Sequence, residues 1–117
     1  MSSITLFGIP NCDTVKKARR WLEQRHIAYE FQDLRKDGLT QAQVKAWTTQ
    51  VEWEALLNKR GRTWRELSQP EQQVTTAAQA IALCCKHPTL IKRPVLVSGQ
   101  GILIGFDPAA YARQFSA

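Results

Sequence analysis

Paired cysteines are missing from this chain. Three cysteines occur in 117 residues, Cys12, Cys84 and Cys85, and an odd count argues against the disulfide framework of a secreted domain. Cys84 and Cys85 are neighbours in a stretch of helical spacing. Their side chains therefore diverge by about 100° and are not placed to bond each other. No Cys-x-x-Cys is present, because Val15 stands three residues after Cys12; dithiol exchange within that loop is excluded. No apolar run approaches the roughly 18 residues of a membrane span. The opening Met1-Ser2-Ser3-Ile4-Thr5-Leu6 has neither the basic segment nor the apolar core of a secretory signal, so the expected location is cytoplasmic. The two histidines, His26 and His87, each sit at the end of a helical stretch, where a cation suits the dipole. Neither has a second ligand at metal-binding spacing, so no metal is expected. Repeats and low-complexity segments are absent. Acidic residues are few, 10 against 16 basic ones, which leaves a net charge of +6. The cations are spread along the chain, which argues against a nucleic-acid partner. A solvated basic surface, or a pocket for anionic thiols and oxyanions, is the reading left.

What is present reads as alternating strands and helices. Ile4–Gly8 is a short apolar strand closed by Gly8 and Pro10. From Cys12 to Arg25, Val15, Ala18, Trp21 and Leu22 recur at helical spacing. Ile27–Phe31 follows as a second strand, parallel to the first if the unit is β-α-β. Thr40 is a plausible N-cap for a helical region reaching Leu67, with turns at Glu52–Leu57 and Thr63–Leu67 and a stop near Gly61. Thr75–His87 is a longer helix with Ala78, Ile81, Ala82 and Cys85 marking a face, ended by Pro88. Val95–Val97 and Ile102–Ile104 form a hairpin across a Gly-rich turn. Asp107 caps a last helix with Pro108 at its first position. The tryptophans at 21, 47, 53 and 64 fall in helical parts, where packing is the expected role.

The order β-α-β, helical insertion, β-β-α fits a ferredoxin-like or a thioredoxin-like sheet. Cys12, at the first turn of the first helix, decides for the second, because thioredoxin-like proteins carry their nucleophile there. A thiol reacts as its thiolate, and a free cysteine with pKa about 8.5 is only about 3% thiolate at pH 7. A helix N-terminus supplies positive potential and unpaired N–H groups that favour the anion. Lys16 lies one turn on, Lys17 beside it, and the Thr14 hydroxyl is near enough to donate. The bland alternative is a small buried apolar residue, which the polar Pro10-Asn11-Cys12-Asp13-Thr14 loop disfavours. With one cysteine in the loop, resolution falls to an outside thiol such as glutathione, or to Cys84 or Cys85 if either reaches it. Pro94, directly before a buried strand, donates nothing to the ladder; by analogy with a thioredoxin-like sheet, in which this loop faces the nucleophile, its bond is expected to be cis. Arg93 before it would hold an anion beside Cys12, or else is an exposed arginine. Lys59-Arg60-Gly61-Arg62 is a solvated loop or a second wall of the thiol site.

Taken together, Ile4 to Thr14, Lys16-Lys17-Ala18, Leu56-Leu57-Asn58-Lys59-Arg60-Gly61, Trp64-Arg65, Pro88 to Val97 and Gly105-Phe106-Asp107-Pro108 resemble the arsenate reductase (ArsC) family. This thioredoxin-like family includes the Spx regulators, and the nearest branch is the YffB-type ArsC-related proteins. The likeness runs from near Ile4 to near Tyr111 in the family's order and spacing. It implies a single thioredoxin-like domain over residues 1–117, a four-stranded mixed sheet flanked by helices, with the helical insertion at about 40–87. It implies a nucleophile at Cys12 and a substrate or anion site drawn from Asn11, Thr14, Lys16, Arg60, Arg93 and Pro94. Arsenate-reducing members use glutathione and glutaredoxin and three arginines around the cysteine. Arg93 matches one; Arg60 is displaced by about two residues; Gly105-Phe106-Asp107 offers none at the third position. The YffB-type members resemble glutathione-dependent thiol reductases, which implies glutathione as co-substrate, glutaredoxin as a partner and no bound cofactor. Spx regulators bind RNA polymerase and sense oxidation through a Cys-x-x-Cys, a switch that Val15 removes here. A regulator of that kind, or a true arsenate reductase, is the alternative reading.

Overall fold

Residues 5–8 alternate about a sheet plane, and the first strand, β1 (Thr5–Gly8), is hydrogen-bonded on both sides in the computed structural model, which describes residues 3–115. Helix α1 (Asp13–Gln24) follows, then β2 (Glu30–Asp33), and after the helical segment β3 (Val95–Ser98) and β4 (Gly101–Ile104). The sheet order is β2-β1-β3-β4, with β1 and β2 parallel and the other neighbours antiparallel. Helix α7 (Pro108–Phe115) closes the chain. This is the thioredoxin-like arrangement of a mixed sheet with α1 and α7.

Helix α1 forms because Val15, Ala18, Trp21 and Leu22 make one apolar stripe, and all four are buried. Its end is sharp. The His26 N–H donates to the Glu23 carbonyl, the Ile27 N–H donates to that of Leu22, and His26 itself adopts φ +56°. That is a Schellman closure with histidine in the left-handed position that glycine usually takes. The closure consumes Ile27, which is why β2 begins at Glu30 rather than at Ile27 as the alternation suggested. The Glu30 N–H donates to the Ile4 carbonyl at 2.9 Å and sets the register.

Leu6 and Leu96 are paired across β1 and β3 and share a core with Ala18, Trp21, Leu22 and Tyr111. Burying each large member contributes about 1.5–3 kcal/mol. Tyr111 meets Phe106 edge-on at 4.9 Å and Trp21 at 5.5 Å. Asp107 caps α7 as expected, its carboxylate accepting from the Ala109 N–H at 3.1 Å. The hairpin between β3 and β4 turns over Gly99-Gln100, with Ser98 opposite Gly101.

The chain divides into two compact units. One holds the described residues up to Asp33 and those from Arg93; the other is Leu34–Lys92. The second unit is wider than the expected insertion because a short helix α2 (Leu34–Asp37) and a 3-10 turn (Pro88–Leu90) flank it. Within it, α3 (Gln41–Thr48) opens with a capping box between Thr40 and Gln43. Short helices α4 (Trp53–Leu56) and α5 (Arg62–Glu66) precede α6 (Ala77–Lys86). The buried face of α6 is Ala80, Leu83 and Cys84, one residue out of phase with the expected one; Ala78 and Ala82 are exposed. Its C-cap, His87, faces Glu71 at 3.1 Å and, with Lys86, holds that carboxyl down to about 2. Trp47 is buried, whereas Trp53 and Trp64 are half-buried. No helix among the described residues is long and apolar enough to cross a membrane.

The Tyr111 hydroxyl is buried with no hydrogen-bond partner among the described residues, and burial pushes its pKa upward. Tyr111→Phe keeps the ring contacts and removes an unpaired polar atom. The substitution is expected to stabilise the protein by about 1 kcal/mol, read as a higher thermal midpoint.

Candidate functional site

The loop between β1 and α1 is a turn that its residues dictate. Pro10 and Asn11 occupy the centre, and the Cys12 N–H donates to the Ile9 carbonyl at 3.3 Å. Ile9 is buried and anchors the loop, while Pro10 and Asn11 are exposed. Cys12 is then the N-cap of α1, extended at φ −94° and ψ 125°, with its carbonyl accepting from the Lys16 N–H at 2.9 Å. Its side chain makes no capping hydrogen bond. The first-turn N–H groups of α1 have no partners within the helix, and the sulfur of an N-cap cysteine lies at that end. Cys12 is a free, half-exposed thiol. Thr14 and Lys16, on the same helical turn, are exposed.

Gly8 is the reason α1 starts where it does. A Cβ at Gly8 would come within 2.7 Å of Val15 Cγ2 and 3.0 Å of Cγ1. The bare backbone lets the end of β1 and the first turns of α1 approach closely, and that approach sets the position of Cys12. Sequence reasoning used Gly8 only as a strand stop. The signal for its packing role was a glycine seven residues before a β-branched residue on the buried stripe.

Arg93 and Pro94 lie at the same end of the sheet. The register pairs Phe7 with Val95, so Pro94 falls one residue beyond that pair, beside Gly8. The Arg93–Pro94 bond is cis, as expected. The Pro94 carbonyl accepts from the Gly105 N–H at 2.8 Å, which ties this loop to the end of β4. Arg93 is half-buried and Pro94 fully buried. Asn11, Cys12, Thr14, Lys16, Arg93 and Pro94 all belong to the first unit.

Arg60 belongs to the helical unit. Its N–H donates to Asn58 Oδ1, and its carbonyl accepts from Arg65 Nη1 at 2.9 Å. With Leu57, Asn58, Lys59 and Lys92 it lines a cleft of about 310 Å³. The Lys59 ammonium stands 5.2 Å above the Trp64 ring.

The other two thiols lie on α6, Cys85 half-exposed like Cys12 and Cys84 not. Cys84 is fully buried, and desolvation with the Cys85 charge beside it pushes its thiol up to about 12. Burial raises Cys85 as well. Among the described residues no group of three or more His, Cys, Asp or Glu side chains comes together as a metal site would require.

Comparison with known proteins gives a consistent picture. The sequence matches the ArsC family over residues 7–114. An uncharacterized protein of Haemophilus influenzae is 40% identical over 97% of this chain and 99% of its own length. The global transcriptional regulator Spx of Listeria innocua is 26% identical over 89% of this chain and 80% of its own. The solved structure of a YffB protein superposes with a TM-score of 0.93 at 38% identity, covering 97% of this chain and 100% of that one. An arsenate reductase (ArsC) related protein of Brucella melitensis gives 0.73 at 42% identity, covering 98% and 96%.

Gly8→Ala is expected to destabilise the protein by about 1–3 kcal/mol through overpacking against Val15. Val15→Ala in the same chain should recover part of that loss. Denaturant titrations of the two single variants and the double variant measure the coupling.

Proposed function

The chain belongs to the ArsC family, and on that premise we propose that it is a glutathione-dependent thiol–disulfide oxidoreductase with Cys12 as its only nucleophile. The observation that carries this reading is the contrast among the thiols. Cys12 is half-exposed at the N-cap of α1, whereas Cys84 is sealed in the helical unit with its thiol pushed up to about 12. At neutral pH such a buried group is almost wholly protonated and a poor nucleophile.

The proposed cycle has two exchanges. The Cys12 thiolate attacks the glutathione sulfur of a mixed disulfide, forming Cys12–S–S–glutathione and releasing the substrate thiolate. A second glutathione, as thiolate, attacks that glutathione sulfur and leaves as oxidised glutathione, freeing Cys12. The proton it loses goes to the released substrate thiolate. The substrate sulfur thus passes from disulfide to thiol level while the incoming glutathione sulfur passes from thiol to disulfide level, and the transferred glutathione sulfur is unchanged. The N–H groups of the first turn stabilise the departing Cys12 thiolate. Arg93 is assigned to an anionic group of glutathione, with Asn11, Thr14 and Lys16 as further polar contacts and Pro94 as the wall beside Gly8. Glutaredoxin is the protein thiol expected to act with it.

Arsenate is a poor fit. An arsenate adduct on sulfur concentrates negative oxygens, and bidentate arginines are the best match for a tetrahedral oxyanion. Where arsenate-reducing relatives carry their last arginine, this chain has Gly105 at φ +77° and Phe106 packed on Tyr111. A left-handed glycine and a core aromatic leave no cation there. One lost charge-assisted contact is worth about 1.5–3 kcal/mol. The likeness to Spx favours a second reading, a partner-binding regulator. The fully buried Val15 occupies the place of the second cysteine of the Spx switch, so a redox signal of that kind has no partner thiol in the loop. RNA polymerase retained by the purified protein would favour the regulator.

Incubation with oxidised glutathione followed by mass spectrometry is expected to show one added tripeptide, on Cys12. Cys12→Ser should abolish both the adduct and thiol exchange, and Cys84→Ser and Cys85→Ser should leave them in place. In a coupled assay with glutathione, glutaredoxin and arsenate, turnover is expected to be tenfold to a hundredfold weaker than that of a three-arginine reductase, following from the missing contact. Robust arsenate turnover would overturn this expectation.

A further inference from the structure

The exposed side of α1 carries more charge than its packing explains. Lys16, Lys17, Arg19 and Arg20 fall in two turns of one helix. Lys16–Arg20, Lys16–Arg19 and Lys17–Arg20 stand at the spacings where like charges repel. Lys16 and Lys17 lie in the half of the helix nearer its positive end, Arg19 and Arg20 follow just past its middle, and the last turn has no basic residue, the reverse of what the helix dipole favours. Among the described residues Lys16, Lys17 and Arg20 form no ion pair, whereas Arg62 pairs with Glu66 and Lys86 with Glu71.

The track is also partly built. Arg19 lies over the Phe31 ring at 4.1 Å, and its Nε donates to the Tyr29 hydroxyl at 2.9 Å. Tyr29 in turn donates to Glu23 at 2.6 Å. The guanidinium is thereby fixed before any ligand arrives. Lys16, Arg19, Arg20 and Glu23 line a shallow cleft of about 320 Å³ that begins one turn from Cys12.

We propose that this track docks an acidic segment of a protein substrate, so that the substrate's glutathionylated cysteine meets Cys12. The proposal rests on the thiol-exchange reading above and names the class of substrate it serves; the exchange itself is the one already written. The distance along the helix from Cys12 to Arg20 is roughly 12 Å, about four residues of extended peptide. The track therefore selects carboxylates about three to four positions from the oxidised cysteine. A protein segment fits better than a nucleic acid. Glu23 sits in the same cleft and would oppose a continuous run of phosphates. Arg19 lies over both aromatic rings beside the track, Phe31 at 4.1 Å and Tyr29 at 5.9 Å, and competes with a stacking base for those faces.

Two glutathionylated peptides test it, alike except for Glu or Gln at the third and fourth positions on each side of the cysteine. At low ionic strength kcat/KM is expected to favour the Glu peptide about tenfold, with the preference shrinking as salt screens it. Arg20→Glu should bring the ratio to about one or below. Lys45→Glu, on α3, changes net charge equally and should leave the ratio alone. Equal rates for the two peptides in the unaltered protein, or equal loss in both variants, would overturn the proposal. If neither peptide is turned over, the glutathione reading fails. Docking is then read from fluorescence anisotropy of the Glu peptide, its cysteine replaced by serine, on the Cys12→Ser protein. Binding weakened by Arg20→Glu supports the track, and no binding overturns it. A single-stranded oligonucleotide of equal charge that binds more tightly than the Glu peptide would overturn it in favour of a nucleic-acid surface.

Discussion

The contact between Gly8 and Val15 is the constraint on which the placement of Cys12 depends. A strand that must hand over to a helix within a few residues needs a tight turn and a close approach of the two backbones. Pro10-Asn11 provides the turn, and the missing side chain at Gly8 provides the approach. Val15 then fills the space under the strand end and is fully buried. Cys12, three residues earlier, is left half-exposed at the helix start, where orphan N–H groups collect. The same sheet end receives the Arg93–Pro94 loop through the antiparallel pairing of Phe7 with Val95. A packing requirement and a half-exposed thiol at a helix start are thus two consequences of one junction.

Much of this was legible in the sequence, and the reasons for success and failure are physical. The stripe Val15-Ala18-Trp21-Leu22 specified α1 because burial and periodicity agree there. Asp107-Pro108 specified the start of α7 because cap and first-turn chemistry are local. The start of β2 was misplaced by three residues because a histidine took the left-handed position, and no local rule assigns that to histidine over glycine. Helix α2 was missed because four residues, Leu34–Asp37, are too few for a periodicity. The face of α6 was read one residue out of phase. In Ala77-Ala78-Gln79-Ala80-Ile81-Ala82-Leu83-Cys84-Cys85 nearly every position is small or apolar, so spacing alone does not choose a side.

The site divides along the same line. The place of Cys12 at the start of α1 was read from turn chemistry, and the cis bond before Pro94 from its position ahead of the strand and the likeness to a thioredoxin-like sheet. Gly105 was not found, because its role is to return the chain from β4 while its N–H holds the Pro94 carbonyl. That is a long-range contact made by a residue with no side chain. The clamp of Arg19 by Phe31, Tyr29 and Glu23 was likewise invisible. It joins a helix to the strand beyond it, and only the parallel pairing of β1 and β2 brings those residues together.

Val15 also bears on how the thiol is turned over. In a two-cysteine loop the residue three positions after the nucleophile resolves the first disulfide. Here that position faces inward, is completely buried, and is in contact range of the Gly8 backbone. A cysteine placed there would serve the core, and its desolvated thiol would be reluctant to ionise, as Cys84 is. A single-thiol cycle is therefore consistent with the packing of this junction and does not depend only on which residue type occupies position 15. Such a cycle takes both its substrate and its reductant from solution, so discrimination between them must be made on the protein surface around Cys12. The cations of α1 are the surface charge that begins one turn from that thiol, held in a pattern that helix stability alone would oppose.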